Sequence, residues 1–542
     1  TLYPLRPYLM TLPDSPTVPF EVVPYSKAKL EQLLVTFSDS SSSIARKLHL
    51  DYFEGYFGQI GAQAIIIEHD YVDRDFLEDH AAYYVRCFQP YKRYCRRLHF
   101  FRCEVTQESF SKALNGDTDG VPIDTLQEKY LGFVVVKPLP TTVVGRTCLT
   151  TYESAGRRYF PIARDYDANL FGISLKIRNT LAFQEQDSVV AACATSALWS
   201  VFHGTGKLFQ HPIPPPVAIT KAAADRLPAS TRLLPNHGLN PEMMAHAIRS
   251  VGLEPFLLGV SDHYVLKSSA YAYLRGRIPM ILGINLFDTS TNPASVMGRH
   301  AVAVTGYSLG HASSQPYGAT GFRLTASRID KLYVHDDQVG PFARMEFDGT
   351  DVSCKFPNGT IVSQSSISTS WRGSDGAIGS GRAISEILLI PLYHKIRVPF
   401  QEIHDGVLHF DSFLSRIGRV QTTPIPDELE WDIYLTTVTD LKEEVIKDLS
   451  GDQRPQLLTR SFPKFLWRAS AIVGGKPLLD LMFDATDIEQ GRCLVTVIER
   501  NIEISEFMHE IFADEAVEMI MGQKHRFSAS IAGWFRRNPS LK

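Results

Sequence analysis

Gln184-Glu-Gln186-Asp-Ser-Val-Val-Ala-Ala-Cys193-Ala-Thr-Ser-Ala-Leu198-Trp-Ser-Val-Phe-His203 joins a polar, glutamine-bearing entry to an uncharged apolar run. From Cys193 onward, Ala197, Leu198, Val201 and Phe202 recur at helical spacing, which predicts a helix starting near Cys193 and ending near Gly204. A cysteine in the first turn meets unpaired backbone N–H groups and the positive end of the helix dipole, and both favour its thiolate. A glutamine shortly upstream offers a side-chain N–H that, together with the Cys193 N–H, can receive an oxyanion. Gln184 and Gln186 are the two candidates. The competing reading is a buried structural cysteine at a helix start, a common fate of free cysteine.

Downstream residues weigh against that reading. His300 opens an apolar strand, Ala301-Val-Ala-Val-Thr-Gly306, directly after the loop Met297-Gly-Arg299. A histidine at a strand mouth can meet a helix-borne thiol across a cleft. Asp336 ends a second strand, Lys331-Leu-Tyr-Val-His335, ahead of a turn reaching Gly340. A carboxylate there can hold the second imidazole nitrogen and set its tautomer. Between the cysteine and the histidine, Asn240-Pro241 reads as a helix N-cap and first residue. Met244, Ala247, Ile248 and Val251 then fall on one face before the stop at Gly252. Helix first and strands after it, within one region, argue for an α+β fold.

At these residues the chain resembles the papain-like cysteine peptidases, and in particular the bacterial branch that includes the bacteriocin-leader (double-glycine) processing peptidases. The resemblance rests on an upstream glutamine, on Cys193-Ala-Thr-Ser-Ala-Leu198, on the pre-histidine strand Gly276-Arg-Ile-Pro-Met-Ile-Leu282, on His300 to Tyr307, and on Asp336 before Gly340. It spans about a third of the chain, residues 180–345. The glutamine stands seven residues before the cysteine at Gln186, or nine at Gln184, where the family has six, and Ala192 stands where that branch often has Asp. The resemblance implies an α+β papain-like core, a Cys-bearing helix packed on an antiparallel sheet that bears the His and Asp. It also implies Cys193 as nucleophile, His300 as base and then acid, Asp336 as orienting residue, Gln186 ahead of Gln184 as oxyanion donor, and hydrolysis of a peptide bond with no metal or organic cofactor. A transglutaminase or glutamine deamidase would use the same triad, and a non-catalytic scaffold on a peptidase fold is the alternative from another class.

Composition sets the wider frame. The chain has 542 residues, 44% of them apolar and 21% charged, with a formal charge of −4. That is globular composition with no global bias toward nucleic acid or acidic membranes. No apolar run approaches the ~18 residues that would cross a bilayer. Seven cysteines, sparse and odd in number, suit a reducing cytoplasm better than a disulfide framework. Texture suggests an N-terminal accessory α+β region over 1–150, the peptidase domain over 151–400, and a C-terminal α+β region over 401–542 beyond the Thr422-Thr-Pro-Ile-Pro426 linker. The flanking regions, with aromatic pieces such as Ser461-Phe-Pro-Lys-Phe-Leu-Trp467, are the expected place for a regulatory protein partner. Tyr91-Lys-Arg-Tyr-Cys-Arg-Arg97 reads as a solvated helix face rather than a nucleic-acid surface. Cys87, Cys95, His99 and Cys103 lack zinc-ligand spacing. Gly204-Thr-Gly-Lys207 lacks the rest of a phosphate loop, and Gly373-Ser-Asp-Gly-Ala-Ile-Gly-Ser-Gly381 reads as a flexible loop.

Overall fold

Tyr130 to Val136 is buried at every position, so this run can only be the centre of a covered sheet. The computed structural model describes residues 19–38, 47–187, 189–225, 234, 238–420, 423–426, 429–487 and 493–538. Its first unit comprises residues up to Tyr152 together with Arg164–Val190. There β1 (Phe20–Pro24), β2 (Ala64–Tyr71), β3 (Cys95–Phe101), β4 (Tyr130–Val136) and β5 (Val144–Leu149) form one antiparallel sheet in sequence order. The basic-aromatic run that reads as a helix face instead enters β3, and Arg97 is buried against Glu68 at 2.7 Å. β3 is buried at every position except the half-buried Arg96, with Leu98, Phe100 and Phe101 in the core.

The second unit holds Glu153–Ala163 and the chain from Ala191 on. Its main sheet is built from β6 (Glu254–Gly259), β7 (Met280–Asp288), β8 (Ala294–Leu309), β9 (Ile329–Asp336), β10 (Gly340–Lys355), β11 (Ile361–Ser368) and β12 (Gly381–Leu392). The order is β7-β8-β9-β10-β11-β12-β6, and β12 also pairs with β7, so the strands curl back on themselves. Neighbours are antiparallel throughout that order. The fold is α+β.

Among the helices that precede or interrupt this sheet are α1 (Cys193–Phe209), α2 (Pro241–Ser250) and α3 (His263–Arg275). Every residue of α1 from Ala194 to Gly206 is buried, as expected of a helix with small or apolar residues on every face and no formal charge before Lys207. It runs past Gly204 to a left-handed cap at Gln210. Gly206 does not end it, because this glycine is needed for contact: a Cβ there would lie 2.9 Å from Ile213 Cγ1. In α2, the Asn240 side chain caps Met243 N at 2.8 Å, and Met244, Ala247 and Ile248 face the core.

After the Phe400–Gly418 helix, β13 (Glu430–Thr437), β14 (Phe465–Val473), β15 (Lys476–Asp484) and β16 (Leu494–Glu499) make a four-stranded antiparallel sheet. Thr422 of the expected linker lies outside the described residues. This sheet belongs to the second unit. Tyr271 of α3 donates to Asp432 of β13 at 2.7 Å. Trp467 lies on β14, fully buried, its indole N–H donating to Val398 O at 2.9 Å. That aromatic run therefore builds core, and its tryptophan offers nothing to a partner surface.

Candidate active site

Cys193 is the first residue of α1. Its N-cap, Ala192, has no side chain to close the helix start, and only its carbonyl is used, by the Thr195 and Ser196 N–H groups. The first-turn N–H groups of Cys193 and Ala194 have no intrahelical acceptor, and the first turn carries no acidic residue to offset the dipole. Among the seven free cysteines, Cys95, Cys148, Cys354 and Cys493 are buried, whereas Cys193 is partly exposed.

His300 lies within β8 rather than at its mouth. The strand extends back to Ala294 because its first half is alternately exposed and pairs with β7, with Ile284 opposite His300. The apparent loop at Met297-Gly-Arg299 is therefore solvent-edged strand. Asp336 ends β9 as its spacing predicts, and the turn closes with Val339 N on Asp336 O at 3.0 Å.

These elements bring Cys193, His300 and Asp336 together. His300 Nε2–H donates to Asp336 Oδ1 at 3.0 Å, the tautomer following from the fact that an ionised carboxylate only accepts. With Nε2 engaged, Nδ1 is the nitrogen left for the hydrogen bond His300 makes with Cys193. Asp336 Oδ1 also accepts from Gln338 N at 2.9 Å, and Oδ2 accepts from the Trp371 indole N–H at 2.7 Å. Asp337 Oδ1 stands 3.7 Å from His300 Nε2, beyond a hydrogen bond but close enough to act as a second negative charge. His300, Asp336 and Asp337 are almost fully buried.

Burial alone would strip the proton from His300, yet Asp336, Asp337 and the bond to Cys193 outweigh it and raise the imidazole well above its ordinary pKa. Burial likewise acts to raise Asp336, but the imidazolium, Gln338 N–H and Trp371 N–H hold it below the usual carboxylate range. Both directions favour a protonated His300 imidazolium beside an ionised Asp336 carboxylate. His300, Asp336 and Asp337 also lie close enough to surround a cation. Asp336, however, already has both oxygens committed to N–H donors, which is the wiring of an orienting carboxylate.

Gln184 and Gln186 belong to the first unit and Cys193 to the second. The segment is pinned within the first unit: Glu185 accepts from Val144 N at 3.0 Å, and Asp187 accepts from Tyr84 OH at 2.6 Å. Gln184 is buried, and its Nε2 has no hydrogen-bond partner among the described residues; Gln186 is partly exposed. Trp371 is the site residue that sequence reading missed. Its only signal there is a tryptophan just ahead of a glycine-rich segment.

No protein-family model and no curated protein sequence matches this chain.

Proposed function

We propose that the chain is a cysteine peptidase of papain-like type, acting on a protein or peptide through a Cys193–His300–Asp336 triad. The observation that carries this reading is one buried imidazole hydrogen-bonded to a helix-initial thiol and, through its other nitrogen, to a carboxylate held by two further N–H donors. A well-packed apolar cluster of the same volume often stabilises a fold as well as a buried ion pair does, so the fold alone does not account for this wiring.

In the reaction, the Cys193 thiolate adds to the substrate carbonyl carbon, and the carbonyl electron pair moves onto oxygen. The N–H groups at the start of α1, which have no intrahelical acceptor, receive that oxyanion. Nδ1–H of the His300 imidazolium gives its proton to the leaving amine as the C–N bond breaks, which leaves a thioester. His300, now neutral, takes a proton from water, the hydroxide displaces the thiol, and a carboxylate product departs. Asp336 keeps the ring oriented throughout. Seven free cysteines agree with a reducing compartment such as the cytoplasm.

The test is labelling of the intact protein with an electrophilic peptidyl probe, followed by mapping of the adduct and cleavage of a peptide library. Adduct at Cys193 with newly formed chain ends supports the reading. Adduct with ammonia release and no cleavage assigns the same thioester to glutamine deamidation. No adduct at Cys193 refutes both.

A further inference from the structure

We propose that Trp371 is a positioning residue: its buried indole N–H fixes the Asp336 carboxylate in the orientation that serves His300, and the glycine-rich segment 373–381 holds that indole in place. The inference rests on the thiol-hydrolase reading of the same site.

A carboxylate at a strand end is free to turn about its last bond unless both oxygens are held. In Asp336, Oδ1 serves His300 and Gln338 N–H, while Oδ2 has Trp371 as its donor, at 2.7 Å. Asp337 and Cys193 are the other titratable groups acting on His300. Without the indole donor, Oδ2 would be a buried charged oxygen lacking a partner. The carboxylate would then be more basic and could swing away from Nε2.

The segment after Trp371 is tied rather than loose. Gly379 N donates back to Trp371 O at 2.7 Å, and Gly373 N donates to Ser380 Oγ at 2.7 Å. Ser374 N donates to Asp288 Oδ2 at 3.2 Å, reinforced by the Ser374 hydroxyl on the same carboxylate. Thr289 N donates to Ser380 O at 3.0 Å, so both ends of the segment are sewn to the end of β7. The glycines at its ends are required by space. A Cβ on Gly373 would stand 2.6 Å from Asp288 Oδ1, and one on Gly381 would stand 2.8 Å from Trp371 Cβ.

The experiment is the pH–rate profile of iodoacetamide alkylation at Cys193, mapped by mass spectrometry, in the full chain and in Trp371→Phe. Phenylalanine keeps a ring and removes the N–H. The acid limb should move up by about one pH unit, a tenfold slower reaction at a given pH on that limb, while the alkaline plateau stays unchanged. A purely structural role would alter the plateau or nothing. Ser374→Ala, at an exposed position, loosens the loop without emptying the core, and should move the limb the same way by about threefold. Limbs that coincide with wild type in whichever variants fold overturn the proposal while leaving the triad intact. A wild-type Cys193 that alkylates only as an ordinary thiol overturns the triad and the Trp371 role together.

Discussion

Replacing Asp336 with Asn separates the charge of the orienting group from its shape. The carboxylate oxygen and His300 Nε2 are 3.0 Å apart. With an effective dielectric constant near 20, a unit-charge pair at that distance interacts by roughly 5 kcal/mol. That value is a ceiling, because asparagine still accepts from Nε2–H and Asp337 remains 3.7 Å away. A retained loss of ~3 kcal/mol corresponds to a His300 pKa about two units lower, at about 1.4 kcal/mol per unit. With the imidazolium less stable, less of the thiolate forms at mildly acidic pH. Alkylation of Cys193 near pH 6 should therefore be slower by about a hundredfold in Asp336→Asn. The assay compares pH–rate profiles of the two proteins, with chemical denaturation run in parallel to confirm that each is folded. Asp337→Asn should move the profile by less than half as much, because Asp337 makes no hydrogen bond to the ring. Superimposable profiles for Asp336→Asn and wild type would refute the electrostatic reasoning. A larger effect from Asp337→Asn would exchange the two roles.

Further outcomes follow from the same geometry. Because folding raises the His300 pKa, its contribution to stability is fully present below the unfolded value near 6.5 and fades as pH rises through the folded pKa. Asp336 is lowered, so its contribution holds above the unfolded value near 3.9 and is lost as pH falls through the folded one. The stability advantage of wild type over His300→Gln should thus be largest around pH 5–6 and shrink on alkalinisation, as read from urea midpoints; a gap constant to pH 9 would contradict this. Gly206→Ala should cost about 1–3 kcal/mol in denaturant unfolding, because its Cβ would meet Ile213 at 2.9 Å. Millimolar chelator should leave Cys193 alkylation unchanged, and a slowed reaction would reassign the His300, Asp336 and Asp337 cluster to a cation.

Much of this protein was legible in the chain because local patterns write local structure. The apolar spacing after Cys193 specified α1 and Asn240-Pro241 specified the start of α2, each through contacts within a few residues. Cys193, His300 and Asp336 were also readable as candidates, since residue type and chain order are properties of sequence. The tertiary structure decided what depends on residues far apart. Half-exposed alternation hid the start of β8, so His300 passed for a strand opener until β7 was seen beside it. Arg97, read as solvated, is buried because Glu68 lies across the sheet to neutralise it. Trp467 looked like a recognition surface and is core, because Val398 accepts its N–H from 69 residues away. The Trp371 bond to Asp336 joins positions 35 apart through the closure of β7, β9 and β12, and no local periodicity encodes it. Hydrophobic spacing reports which face of an element is buried. Which charges and donors meet there is set by the path of the chain, and that path exists only once the sheet has closed.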